Sequence, residues 1–489
     1  MSLDRVRSNA SITLPEMSNG EFQDFLGFFL KKTIKSFFMR LFQLTTRFAM
    51  AAAAGLMIFT SCVKTENSSD ALTGGQEVKS LKSNMANEWM NLSFELTKKT
   101  PGFTSPVAAR TYAYLSLGMY EVLVPGMVGY SSMQGKFQGF NRGSMKNPRT
   151  YGEISWNASL NEAMYQMSKR FYQNSTPSAI AEIEKLYNKN LAEFSSSMSA
   201  EVLDHSRQYG NDQAKALLAY AETDQQSEAY LNNYPSGYLL PKGEGIWSPS
   251  VNPHKRPLQP YWGNVRTFAR HSPAGLEMVS PPEFSEETSS LLYAYALEVR
   301  NKVENVTRQD EVLVNFWNDD QEGTITPAGH MLAIMNQINV VQDRDLGSAV
   351  FGYMKLATTM HDATVAAWKT KYTYYTMRPE TYIRQYIDGQ FLSLSNATAT
   401  PEYSSGQAAV VSAAVEVLGS VFGYSYAFTD RTYEDRKDID GSPRSYPSFQ
   451  DLADEVLNAN LLGGIHYRFS LEAGQKQGIE IAKDFNAIR

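Results

Sequence analysis

The sequence predicts an all-α fold, a large helical bundle, and three observations support this prediction. From about residue 81 onward, most segments place apolar residues three and four positions apart, which is the spacing of one helix face. No alternating apolar and polar pattern, which would indicate a half-buried strand, continues for long. The chain has 489 residues and a formal charge of −6, so it is long enough for a sizeable core and no nucleic-acid partner is expected.

The segment from 39 to 61 resembles the signal peptide of a bacterial lipoprotein. Arg40 and Arg47 give it a positive start, and residues 48–59 form an apolar run that is too short to span a bilayer comfortably. Small residues then precede Cys62, the only cysteine in the chain. The resemblance implies that Cys62 is lipidated and becomes the mature N-terminus.

This interpretation predicts an exported protein that is held at the bacterial cell envelope by its lipid anchor only. Residues 1–38 are then a spurious upstream extension, because a signal peptide begins near the true initiator. The polar residues 62–80 are predicted to form a flexible tether. The alternative is a buried apolar helix in which the cysteine is incidental.

Residues 81–282 are predicted to form an N-terminal helical region. Within it, residues 230–265 interrupt the helical pattern with several prolines among Gly, Trp and Tyr. We predict an ordered loop there, because its aromatic residues Trp247, Tyr261 and Trp262 favour burial. The predicted helices of this region are 87–100, 105–123, 156–171, 180–194 and 202–220.

Residues 283–489 are predicted to form a second helical region, which carries the candidate site. Its first helical segments are 286–303, 326–342 and 348–377. Closer to the C-terminus, three stretches combine residue types that suit the binding of an anion. Each stretch also has an ordinary structural interpretation.

The first stretch is KYTYYTMRP, from 371 to 379. Lys371 and Arg378 are seven positions apart, or two helical turns, so both are expected to project from one helix face that ends or kinks at Pro379. Two long cations on one face suit the binding of a single oxyanion. The alternative is a solvated cationic face.

The second stretch is PEYSSGQAAVVSAAVEVLGSVFG, from 401 to 423. Ser404 or Ser405 is placed to cap the following helix, which leaves the N–H groups of Gly406 and Gln407 without partners inside it. A helix start beside a glycine suits an anion, because the ligand can approach the backbone closely. The alternative is a routine N-cap.

The third stretch is NANLLGGIHYRFSLEAG, from 458 to 474. A Gly463–Gly464 pair allows tight packing or a kink just before His466. His466 is then either a nucleophile or a ligand of the oxyanion, or else a hydrogen-bonded core histidine.

Taken in this order, the three stretches resemble the superfamily shared by vanadium-dependent haloperoxidases and type 2 phosphatidic acid phosphatases. The signature of that superfamily is K-x6-R-P, then P-S-G-H, then S-R-x5-H-x3-D. The first element is intact here as Lys371, Arg378 and Pro379, and segments such as FWNDDQEGTITPAGH are similar to the larger bacterial haloperoxidase-like proteins. The resemblance covers roughly residues 86–481 and implies the helical-bundle fold of that superfamily.

The resemblance also implies roles for the residues that match the signature. Lys371, Arg378, Ser405 and the backbone of Gly406 are expected to bind phosphate or vanadate. His466 is expected to attack phosphorus or to bond to vanadium.

Three positions depart from the signature. Gln407 stands where the superfamily has its acid/base histidine, Asn460 where it has a second oxyanion-binding arginine, and Ser470 where an aspartate orients the histidine nucleophile. Gln does not exchange a proton near neutral pH, and general acid/base help is typically worth about 10²–10⁴ in rate. Asn460 removes a bidentate cation, and Ser470 leaves His466 without a carboxylate.

Two other residues were considered as replacements for the missing base. His361 lies ten positions before Lys371 on the same predicted helix, and Glu472 lies six positions after His466. Neither position falls on the helix face that the site requires, so both are poor candidates.

We therefore expect an envelope lipoprotein with a partly retained oxyanion pocket and reduced or lost catalysis. The expected ligand is phosphate, vanadate or a small phosphorylated compound; vanadate is the one cofactor implied, and no metal-ligand cluster is predicted. The first alternative is an active phosphoric-ester hydrolase or vanadate-dependent haloperoxidase that uses His466. The second is a purely structural helical protein in which the order of the motifs is a coincidence.

Overall fold

The computed structural model describes residues 77–249, 256–269, 279–320 and 323–488. The predicted upstream extension, the signal peptide, Cys62 and most of the predicted tether lie outside these ranges. The predicted end of the tether at residue 80 is wrong, because Val78 is fully buried in a 3₁₀ turn at Val78–Ser80.

The prediction of a mostly helical fold is confirmed. The described helices are α1 (Asn84–Lys99), α2 (Ser105–Leu123), α3 (Trp156–Phe171), α4 (Pro177–Ser197), α5 (Ala200–Glu222), α6 (Leu291–Glu304), α7 (Arg308–Phe316), α8 (Thr326–Val341), α9 (Leu346–Tyr374), α10 (Pro379–Tyr386), α11 (Gly406–Phe422), α12 (Phe449–Leu462) and α13 (Arg468–Asn486). Two short antiparallel strands, β1 (Phe428–Asp430) and β2 (Arg444–Tyr446), form a hairpin in which Thr429 pairs with Ser445. No helix in the described ranges has the length and apolar character that crossing a membrane requires.

Helix α11 lies in the middle of the bundle, packed against α9 and α13. Its small residues allow the backbone of α13 to come very close. A Cβ atom placed on Gly478 of α13 would lie 2.2 Å from the carbonyl oxygen of Ala409, and one on Gly474 would lie 2.5 Å from that of Ser405. This close packing fixes the start of α11 deep inside the protein.

The long helix α9 ends earlier than predicted. Tyr375 follows it with a left-handed φ of 51°, and its N–H donates to the carbonyl oxygen of Lys371. Arg378 then has extended backbone and stands as the N-cap of α10. Lys371 and Arg378 therefore do not share a helix face as predicted; they approach each other because the chain turns between them.

The N-terminal region packs against the same long helix, because α2 lies along α9. Within that region, α3 packs against α5. In the predicted loop, Trp247 and Trp262 are buried as expected, whereas Tyr261 is 53% exposed. The loop thus covers the bundle through its two tryptophans.

Candidate oxyanion site

The loop before α11 gathers the two predicted cations around its backbone. Nζ of Lys371 donates to the carbonyl oxygens of Pro401 and Glu402, both at 3.0 Å. Arg378 donates from Nε to the carbonyl oxygen of Thr400 at 3.1 Å and from Nη2 to Oγ1 of the same residue at 2.9 Å. These contacts use two of the three N–H groups of Lys371 and leave one for a ligand.

His466 lies beside Arg378 and is oriented by a buried carboxylate. Nδ1 of His466 is 2.7 Å from Oε1 of Glu402, which also accepts the N–H of Tyr467 at 3.1 Å. Nη1 of Arg378 is 3.4 Å from Nε2 of His466 and donates to the carbonyl oxygen of Ile465 at 2.8 Å. A ring that donates from Nδ1 presents the lone pair of Nε2, which is the form that acts as a nucleophile or ligand.

The charges around His466 keep its ring neutral. Burial, followed by the charges of Arg378 and Lys371, holds the pKa of His466 well below its usual value. Burial also lowers the pKa of Lys371, with the charge of Arg378 adding to the effect, and it raises the pKa of Glu402. The contact between His466 and Glu402 is therefore a hydrogen bond from a neutral imidazole rather than an ion pair with an imidazolium.

Gln407, at the acid/base position, is held in a network of amides. Its Nε2 donates to the carbonyl oxygen of Trp317 at 2.9 Å, and its Oε1 accepts from Nδ2 of Asn460 at 3.1 Å. Nδ2 of Asn460 also donates to the carbonyl oxygen of Val456 at 2.9 Å. Both N–H groups of Asn460 are thus committed, so this residue orients Gln407 instead of donating to an oxyanion, which is the role that its place in the signature implies.

Ser405 caps α11 as predicted. Its Oγ accepts the N–H of Ala408 at 3.3 Å, while the N–H groups of Gly406 and Gln407 lie in the first turn, which has no acceptors for them within the helix. A Cβ atom on Gly406 would lie 3.8 Å from Cε of Lys371. The lysine thus lies against the helix start at ordinary van der Waals distance, and the cation and the helix start both favour an anion.

Two cavities meet at Arg378. The smaller, of about 20 Å³, is bordered by Gln407, Asn460 and His466 and has room for about one water molecule. The larger, of about 730 Å³, shares Arg378 and Asp320 with it and extends toward the aromatic residues of the N-terminal region. The candidate site therefore adjoins a space of the size that small-molecule sites occupy, typically about 300–1,000 Å³.

One sequence-based expectation about His466 is wrong. Ser470 is buried, but its Oγ lies 3.4 Å from the carbonyl oxygen of Glu402, and its own carbonyl accepts the N–H of Ser405. Ser470 thus supports the loop before α11, and Glu402 supplies the carboxylate that was expected to be missing. No local pattern in the sequence marks Glu402 for this role, since it lies 64 positions before His466.

The two residues considered as replacement bases lie away from the pocket. His361 is buried in α9 with Nε2 3.2 Å from the carbonyl oxygen of Arg266, and burial lowers its pKa to about 4. Glu472 is exposed and borders a different cavity, beside Phe469. Asp320, which the sequence did not single out, does reach the wall of the pocket.

A buried charged cluster supports the pocket from behind Trp317. The ring nitrogens of His330 each lie 2.8 Å from a carboxylate, Nδ1 from Asp319 and Nε2 from Asp430. The His330 ring also stacks on the indole of Trp317, with centroids 4.7 Å apart. Burial favours the neutral ring, but the two carboxylates outweigh it and raise the pKa of His330 to about 10, so His330 is a buried imidazolium.

Comparison with known proteins agrees with the fold. The VCPO second helical-bundle domain matches residues 352–393 and 387–488. The structure is similar to that of the first bacterial vanadium-dependent iodoperoxidase, with 26% sequence identity, a TM-score of 0.74, and coverage of 83% of this chain and 96% of that one. No curated protein sequence matches the chain significantly.

The fold is also shared with a bacterial vanadium-dependent chloroperoxidase at 15% identity. Its holo form gives a TM-score of 0.58 over 78% of this chain and 91% of that one, and its apo form gives 0.60 over 80% and 94%. The fold is the α-helical fold of vanadium haloperoxidases. The family match and the structural similarity support membership of the superfamily of vanadium haloperoxidases and type 2 phosphatidic acid phosphatases.

Proposed function

We propose that this chain is an oxyanion-binding member of its superfamily in which proton transfer at the site is lost or much reduced. The observation that carries the proposal is the state of Gln407. Its amide has no titratable proton near neutral pH, and Trp317 and Asn460 fix both of its ends. General acid/base help of about 10²–10⁴ in rate is therefore absent at this position.

The chemistry of the remaining groups suits one tetrahedral oxyanion, either phosphate or vanadate. Free donors are one N–H on Lys371, one on Gln407 and the amides at the start of α11. Lys371 and Arg378 bring two positive charges to the site, and the carboxyl groups of Glu402 and Asp320 offset them to the extent that they are ionised. His466 offers the lone pair of Nε2 to phosphorus or vanadium, and vanadate, when bound, would supply a Lewis-acid centre.

A direct test is to measure the binding of phosphate and of vanadate to the purified protein by isothermal titration calorimetry. We expect binding of both anions, and a loss of at least tenfold in affinity for Lys371→Met, because a charge-assisted donor is removed. Lys369→Met, an exposed change on the same helix, is the matched control. Hydrolysis of a phosphomonoester by the unchanged protein at rates typical of active superfamily members would contradict the loss of proton transfer.

A second candidate function is an active enzyme that uses His466. It is favoured by the Glu402 contact, which orients the ring and supports its basicity. In that case the protein would hydrolyse phosphate esters, or would oxidise halides with vanadate and peroxide. Such an activity would have to disappear in His466→Ala while the protein stays folded.

We further propose that the protein is an envelope lipoprotein anchored through Cys62. The support is the positive start, the short apolar run and the small residues that precede this cysteine. Expression of the full chain in a bacterium with radiolabelled palmitate is expected to label the protein and to place it in the membrane fraction. Cys62→Ala should abolish both, and a label that persists in this variant would overturn the proposal.

A further inference from the structure

Asp320 stands on the wall that the two cavities share. It is half-buried and borders both the small cavity at Gln407 and His466 and the large cavity that leads to it. Oγ of Ser105 donates a hydrogen bond to Oδ1 of Asp320. Among the residues that the structure describes, this is the only hydrogen bond to the carboxyl group, so Oδ2 is left for a ligand.

Asp320 carries the one carboxyl group among the described residues that line the small cavity. Burial raises the pKa of Asp320 and the charge of Asp319 adds to the rise, while the hydrogen bond from Ser105 and the charges of Lys371 and Arg378 oppose it. An ionised carboxylate repels an anion in the same pocket unless a proton lies between the two. The position of this side chain therefore sets a condition on the anions that the pocket accepts.

We propose that Asp320 selects protonated tetrahedral oxyanions by sharing one proton with the bound anion. Phosphate and vanadate carry at least one proton near neutral pH, and the O–H of the anion then donates to Oδ2. Sulfate carries no proton, so it binds only after Asp320 has taken one up from solvent and can itself donate. The inference rests on the proposed oxyanion function and names the ligand class of that site.

The test is calorimetric titration of the purified protein with phosphate and with sulfate at pH 8. We expect phosphate to bind at least about tenfold more tightly than sulfate, because an unpaired buried acceptor typically costs that much in affinity. In Asp320→Asn, whose amide donates to sulfate, sulfate binding should strengthen until the two affinities differ by no more than about threefold. Asp435→Asn, an exposed change away from the pocket, should keep the preference of the unchanged protein.

A second measurement needs no variant. Titrations in buffers of different ionisation enthalpy should show that sulfate binding takes up about one more proton than phosphate binding. Lys371, His466 and Glu402 also titrate in this pocket, but they are present for both anions, so the difference between the anions reports on the shared proton.

The outcomes separate this inference from the function on which it rests. The proposed role of Asp320 would be wrong if the unchanged protein binds phosphate and sulfate with equal affinity. It would also be wrong if a folded Asp320→Asn variant prefers phosphate over sulfate as strongly as the unchanged protein does. Neither result would contradict the oxyanion function itself. If neither anion binds to the folded protein, the oxyanion function and the inference are both wrong.

Discussion

Nδ1 of His466 lies 2.7 Å from Oε1 of Glu402, so the site contains a carboxylate–histidine pair that its motif lacks. The superfamily pattern places the carboxylate after the histidine, at the position that Ser470 occupies. Here it comes from the loop before α11, which also accepts hydrogen bonds from Lys371. The histidine side of the site is therefore intact, whereas the acid/base side, at Gln407, is not.

The first prediction concerns this pair. Glu402→Gln should weaken vanadate binding by about 10–100-fold, because a group that orients a ligating histidine typically contributes that much. Phosphate binding should fall less, since it does not require a bond to Nε2 of His466. Competition between the two anions, measured by calorimetry, gives both affinities in one series.

Glu472→Gln is the control for this change, as it removes an exposed carboxylate from the same helix as Ser470. An equal loss of affinity for the two anions in Glu402→Gln would show that Glu402 acts through the loop backbone. The proposed orientation of His466 would then be wrong.

The sequence predicts the fold and the position of the site well because both depend on local patterns. Helical spacing and the order of three short motifs identify the bundle, and the cap at Ser405 is where the pattern places it. Glu402 was missed because it acts on His466 across 64 positions of sequence. No spacing rule connects residues in two different loops.

The geometry of the cations was also beyond local patterns. A seven-residue spacing predicts that Lys371 and Arg378 share a face only if the helix continues, and the left-handed Tyr375 ends it. Neither glycine nor asparagine marks that end, so the sequence carries no ordinary signal for it. Both side chains still converge because each donates to the loop before α11.

The second prediction concerns the packing that holds the start of α11 in place. Gly478→Ala should destabilise the protein by about 1–3 kcal/mol, because the added methyl group would lie 2.2 Å from the carbonyl oxygen of Ala409 and α13 must move away. A fall in the thermal midpoint measures the effect. Anion affinity should fall as well, since the same helices position Ser405 and Gly406.

Gly237→Ala is the matched control, because no heavy atom lies within 4 Å of a Cβ placed on Gly237. This variant should be as stable as the unchanged protein. If both alanine variants have the same midpoint, then α11 and α13 tolerate separation and the close approach does not determine the site.

The third prediction concerns the buried cluster behind Trp317. His330→Ala should destabilise the protein by about 3–5 kcal/mol, because it leaves the buried carboxylates of Asp319 and Asp430 without their cation. Chemical denaturation at pH 7 measures the loss. His205→Ala, at a partly exposed position in α5, is the control and should have a small effect.

The same cluster makes the stability of the folded protein depend on pH. The sign of this dependence follows from the pKa of His330, which is raised to about 10. Between about pH 6.5 and 10 the folded protein keeps a proton that the unfolded chain has released. The stability from His330 is therefore complete below about pH 6.5 and is lost as the pH rises through 10. The gap in stability between the unchanged protein and His330→Ala should narrow over this range, and a gap that stays constant would mean that His330 is neutral in the folded protein.

The last prediction tests whether proton transfer can be restored at the site. Gln407→His together with Asn460→Arg replaces the fixed amide pair by an acid/base histidine and a second cation. We expect the double variant to gain phosphomonoester hydrolysis of about 10²–10⁴ over the unchanged protein, the usual contribution of a general acid or base. Gln407→His alone should gain less, because it supplies the acid/base ring without the second cation, and the N–H that Asn460 now gives to Gln407 is only a neutral donor.

His466→Ala in the double-variant background is the control, and it should remove the gained activity if this ring is the nucleophile. Hydrolysis that survives the control would come from another group or from a contaminant. No gain in a double variant that is folded and binds phosphate would show that more than positions 407 and 460 separates this chain from an active phosphatase. The small cavity of about 20 Å³ would then be the next feature to enlarge, because the attacked phosphate ester must fit beside His466.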